Sequence, residues 1–267
     1  MGIVQGLARS FSTFILAAAI AACATGPRVS PEARDEIART GKVRAAINYG
    51  NPVLARKDPA TGELRGVTVD LSRELARRLD VPVELVGYDT VAKLLAGLRG
   101  GEWDVGFLAV DPARASEVIF TAPYMEVEVT YVVPAASELK QVSEVDRAGV
   151  RIAVQERNAA DLFLSRELRA ATLVRTPNLA AAFAALKSGN AEAFAANRQE
   201  LTAVIAANPG YRAVDGRFTT IPHAAAVPMG RRAGASYLGA FVEEAKASGL
   251  VQRSLDASGV RGVMVAR

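Results

Sequence analysis

The 267-residue sequence has one cysteine, Cys23, and one histidine, His223. A lone cysteine excludes an internal disulfide or a thiolate metal cluster, and a lone histidine excludes a site built from several imidazoles, so neither a metal nor a cofactor is expected. Aromatic residues are sparse at 6%, and the formal charge of +4 is spread along the chain without a basic block or interleaved rings. That distribution argues against a nucleic-acid partner. Nucleophile elbows, metalloprotease helices and kinase signatures are missing. The glycines at 97, 100, 101 and 106 do not spell a phosphate or dinucleotide loop. What the chain does have is apolar material, 50% against 22% charged residues, which is enough to build cores and fits neither disorder nor a fibrous repeat.

Long hydrophobic runs are also scarce. The apolar stretch at residues 11–22 falls short of the roughly 20 residues that a permanent membrane-spanning helix takes. Preceded by Arg9 and followed by small residues, it reads as a signal peptide at residues 1–22. The tetrapeptide IAAC at 20–23 resembles the bacterial lipobox, which implies acylation of Cys23 and export to the periplasm with a lipid anchor in a membrane. Residues 23–39 are then expected to carry the lipidated cysteine and a tether.

From Lys42 onward short apolar runs alternate with helical periodicity, the grammar of an α/β protein with largely parallel strands. Strands are expected at 43–47, 83–86, 105–110 and 127–133, with helices at 69–79 and 90–98. The same grammar returns with strands at 151–154, 172–175, 191–195 and 224–228. Helices are expected at 160–168, 179–187, 236–248 and 251–257, and residues 209–217 read as irregular. The strands near 130 and near 225 bracket the second unit, as they would if the chain left one lobe, built another and returned. The expected lobes are residues 40–133 plus 224–267, and residues 134–223.

Two stretches carry a family resemblance. GELRGVTVDL at 62–71 is followed by a helix, and GEWD at 101–104 is followed by DPAR at 111–114 and FTAPY at 120–124. In this order they resemble the polar-amino-acid family of bacterial extracellular solute-binding proteins, the periplasmic receptors of ABC importers, with weaker similarity over roughly residues 40–260. The resemblance implies a two-lobed periplasmic-binding-protein-like α/β fold, each lobe a mixed sheet flanked by helices, with two hinge strands between them. It also implies a small-molecule solute in the cleft, ABC permease subunits as partners, a monomer, and no catalysis. The alternatives left open are an enzyme on the same scaffold, dehydratase-like or lyase, and a sensory or scaffolding lipoprotein.

The resemblance marks Arg114 as the residue that grips a ligand carboxylate, a task suited to the planar guanidinium fork. Asp111, where the family usually has threonine, reads either as a ligand contact or as the cap of the turn DPAR. Tyr49 and Asn51 read as a ring wall and an orienting amide, or as turn residues. Asn158 is a ligand contact or a helix N-cap. Asn197 stands where the family often has a carboxylate for the ligand's ammonium. An amide cannot neutralise an ammonium, so a neutral or purely anionic ligand gains ground over a standard amino acid. His223 reads as a packed residue beside the second hinge strand rather than a base.

Overall fold

Alternating apolar runs and amphipathic stretches fold as the periodicities require. The structure, a computed structural model, describes Gly2 and residues 29–267. Cys23, and with it the expected signal peptide apart from Gly2, lies outside the described residues. Helices are α1 (Pro31–Ile37), α2 (Val67–Leu79), α3 (Val91–Arg99), α4 (Ala159–Glu167), α5 (Leu179–Lys187), α6 (Arg198–Ala207), α7 (Arg232–Ala247) and α8 (Leu250–Ser258). Strands are β1 (Val43–Asn48), β2 (Arg56–Lys57), β3 (Leu64–Arg65), β4 (Val83–Tyr88), β5 (Val105–Ala109), β6 (Val118–Pro134), β7 (Arg151–Gln155), β8 (Thr172–Thr176), β9 (Ala193–Asn197), β10 (Tyr211–Ala213), β11 (Thr219–Pro228) and β12 (Val263–Val265).

The sheet order β4-β1-β5-β11-β6-β9-β7-β8 explains the two lobes. On one side β1 pairs in parallel with β4 and β5, and on the other β7 pairs in parallel with β8 and β9. Between them β6 and β11 run antiparallel along both lobes. They are the two hinge strands. β6 is far longer than the expected 127–133, because it continues back through Pro123. A proline removes a ladder donor and is tolerated in a strand mainly at edges and bulges; here the β6–β11 register shifts beside Ala224, the residue that faces Pro123.

Each lobe has its own core on both faces of its sheet. In the first, Ile47, Leu71, Phe107, Tyr124 and Phe241 pack on one face and Ala46, Leu94 and Trp103 on the other. Trp103 is fully buried and donates Nε1–H to the Leu94 carbonyl at 2.9 Å, so it packs the lobe and stays away from the cleft. In the second lobe Val129, Ile152 and Leu164 form one cluster and Ala153, Phe194 and Leu201 another. An ion cluster fastens the first lobe: Asp104, fully buried, accepts Arg44 Nε at 2.8 Å and Arg231 Nη1 at 2.8 Å.

Residues 23–39 do not end as the expected tether, because α1 occupies Pro31–Ile37 and buries Ala33 and Ile37 in the first core. Ser30 caps the helix by accepting the Ala33 N–H at 3.1 Å, and Pro31 suits a first-turn position whose N–H has no helical partner. Helix α6 and the short strands β10 and β12 are further elements beyond the expected set.

Candidate functional site

The carboxyl ends of parallel strands are where open α/β sheets hold ligands, since loops and helix starts converge there. Four such ends meet at one cavity of about 240 Å³: Asn48 of β1, Ala109 of β5, Gln155 of β7 and Asn197 of β9. Ile221 and His223 of the crossing strand β11 complete the wall between the lobes. The cavity is therefore bounded by both lobes and a hinge strand.

Arg114 lines this cavity from the turn after β5. Its Nη1 donates to the Ala109 carbonyl at 2.8 Å, which fixes the guanidinium against the strand that precedes it. Burial draws its pKa down from the ordinary value, with nearby Asp111 acting in the opposite direction. The side chain makes no salt bridge among the described residues. A second cavity of about 150 Å³ lies alongside and shares Ala109, Arg114, Ala159 and Ile221 with the first.

Asn51, Asn158 and Asn197 also line the main cavity, and all three have a local task as well, Asn197 in a capping box with Glu200. Asn51 accepts the Val53 N–H at 3.1 Å, and Asn158 caps α4 by accepting the Asp161 N–H at 2.8 Å. Asn197 stands at the start of α6. Two sequence candidates are not brought to this cavity. Asp111 closes its own turn, accepting the Ala113 N–H at 2.9 Å, and lines only the smaller cavity. Tyr49 turns outward onto the first lobe, where its ring lies under Lys57 Nζ at 5.3 Å and against the bare backbone of Gly87. It forms no wall of the cleft.

Two titratable residues emerge that sequence reasoning discounted or missed. His223 is 3% exposed, and its Nδ1 lies 3.1 Å from the Ile221 carbonyl, which sets that nitrogen as the donor of a neutral ring. Burial pulls it down to about 4, the Ile221 carbonyl pulling the other way and the Arg114 charge adding to the drop. Glu200, in the first turn of α6, accepts the Asn197 N–H at 3.2 Å. Desolvation pushes its carboxyl up to about 7, and the Asn197 N–H only partly offsets this. In sequence, Asn-x-x-Glu reads as a helix-start capping box, and that signal hides a cleft carboxylate.

Two lobes, a two-strand hinge and a polar cavity at four strand ends define a two-lobed solute-binding protein. The chain belongs to the bacterial extracellular solute-binding proteins, family 3, whose sequence profile matches residues 43–256. It is similar to the ABC transporter glutamine-binding protein GlnH of Bacillus subtilis, at 24% identity over 246 residues, 90% of each chain. Among solved structures it resembles a mutant of ArgBP from T. maritima, at 26% identity and a TM-score of 0.66 over 85% of this chain and 99% of that one. It also resembles the ancestral amino acid-binding protein AncCDT-1, a precursor of cyclohexadienyl dehydratase, at 25% identity and a TM-score of 0.67 over 84% of this chain and 97% of that one.

Proposed function

We propose that this protein captures a small, carboxylate-bearing polar solute, an amino acid or related organic acid, between its lobes and delivers it to an ABC importer. The observation that carries this is Arg114: a half-buried guanidinium with no salt-bridge partner among the described residues, lining a small cavity that both lobes enclose. Burying such a charge unpaired is costly, and a carboxylate is the partner its fork fits best. A ligand held by Arg114 on one side and by Asn158 and Asn197 on the other favours the closed arrangement of the lobes, because only there are both sets of contacts made. Closed lobes are the form that permease subunits recognise in this reading.

The same reading has the protein exported to the periplasm as a monomer, anchored to a membrane through acylated Cys23. Its first lobe is residues 40–133 with 224–267, joined by α1, and its second is residues 134–223. The glutamine-binding and ArgBP relatives support an amino-acid solute. A thermal-shift screen across amino acids, organic acids and small amines tests the proposal. A carboxylate ligand raises the melting temperature if it holds, and a screen in which no carboxylate does so rejects it.

A second reading, a lyase or dehydratase on this scaffold, is favoured by one observation: Glu200, held near neutral pKa, shares the cavity with His223. Mass spectrometry of the ligand after prolonged incubation separates the two, since a binding protein returns it unchanged.

A further inference from the structure

We infer that the Glu200 carboxylate, in the first turn of α6, is the contact for a cationic amine on the ligand, across the cavity from Arg114. The inference rests on the reading of the cavity as a carboxylate site. Five titratable side chains line the cavity: Asp89, Arg114, Arg157, Glu200 and His223. Asp89 is already neutralised by Lys93 at 2.6 Å. Arg157 points its charge to solvent, with a side chain 87% exposed and Glu156 at 3.8 Å. His223 is neutral well above its depressed pKa of about 4. The acidic side chains nearby are committed too, Asp111 to its own turn and Asp161 to Arg175 Nε at 2.9 Å and the Arg157 N–H at 2.8 Å.

Glu200 alone among the carboxylates lining this cavity has no cationic partner among the described residues. Its one hydrogen bond comes from a neutral amide, the Asn197 N–H at 3.2 Å. Burial without a counter-charge is what pushes its carboxyl towards neutrality. An ammonium entering the cavity supplies that counter-charge, restores the ionised form and is held by it. The amide at Asn197 therefore does not remove amine recognition. The acid has moved one helical turn along, from the strand end to the helix start, and with Arg114 it makes the cavity complementary to a zwitterion.

The test is calorimetry on the full exported protein and its Glu200→Gln variant. The ligands are L-glutamine and L-arginine, and the same acids without the α-amino group. The substituted amide keeps an oxygen for the Asn197 N–H, and a thermal melt checks the variant's fold. The expected result is that Glu200→Gln weakens amino-acid binding by about 30-fold or more while binding of the amine-free acids moves by less than about threefold. Glu200→Asp, which keeps the charge, recovers part of the loss. Amino-acid binding to the unaltered protein at pH 7 also releases protons, seen as a heat that varies with the buffer's ionisation enthalpy, and the variant releases none. Equal amino-acid affinity in both proteins, or binding of amine-free acids only, overturns the inference and leaves the carboxylate reading standing. Binding of none of these acids overturns the inference, and a thermal-shift screen in which no carboxylate binds overturns the carboxylate reading as well.

Discussion

The Arg114 guanidinium donates to the carbonyl of Ala109, 2.8 Å away, so the last residue of β5 aims the side chain that the following turn supplies. One of its N–H groups is used this way, leaving the rest of the fork for a ligand. Arg114→Ala is expected to cost carboxylate binding about 2 to 5 kcal/mol while leaving the fold intact. Arg114→Lys recovers little, since a point charge cannot reproduce two parallel hydrogen bonds. Calorimetry checks both, with the circular dichroism spectrum confirming the fold.

Gly50 sits at the rim of the same cavity, and a Cβ built there would lie 1.8 Å from the Asp89 carbonyl oxygen. The obstacle is backbone, so the loop itself must move. Gly50→Ala is expected to lower stability by about 1 to 3 kcal/mol and to weaken ligand binding by shifting Asn51 and Asp89. A denaturant titration paired with a binding isotherm measures the two effects separately.

Most of the scaffold was legible because its strands are short apolar runs bounded by turn residues and helices such as α2 are amphipathic; α5 has the bounds expected of it. What escaped has identifiable causes. Helix α6 buries only Leu201 and so shows no apolar stripe, and α1 was absorbed into an expected linker although Ser30 and Pro31 are start signals. Pro123 concealed the first half of β6. At the site, Arg114, Asn51, Asn158 and Asn197 come together at the cavity, whereas Tyr49 and Asp111 do not, because nothing local to a turn says which way its side chains face. His223 is buried beside the hinge as its setting suggested, yet it also lines the cleft.

Asp104 joins Arg44 of β1 to Arg231 just before α7, with no exposure of its own. Removing one member of such a cluster leaves buried charge without a partner. Asp104→Ala is expected to destabilise the protein by about 3 to 5 kcal/mol. Its melting temperature should fall accordingly, although the residue is remote from the cavity.

Glu200 and His223, both lining the cavity, act on stability in opposite senses. Glu200 has its pKa raised to about 7 when folded, so the native state holds its proton where the unfolded chain has lost it. Stability from this group is present at low pH and is lost as pH rises through about 7. His223 has its pKa lowered to about 4, so its contribution is present above the ordinary histidine value and is lost as pH falls towards 4. Ligand-free Glu200→Gln is therefore expected to gain melting temperature relative to the unaltered protein at pH 8 and not at pH 4.5. His223→Asn gains at pH 4.5 relative to pH 8. Melting curves of the three proteins at both values measure this directly.

In the proposed function one solute bridges the two lobes through groups on each. Small-angle scattering of the protein, with and without a saturating ligand found by thermal shift, measures this. A smaller radius of gyration is expected on binding for the unaltered protein, and no change for Arg114→Ala at the same ligand concentration. An unchanged radius in the unaltered protein at demonstrated saturation would contradict capture by lobe closure.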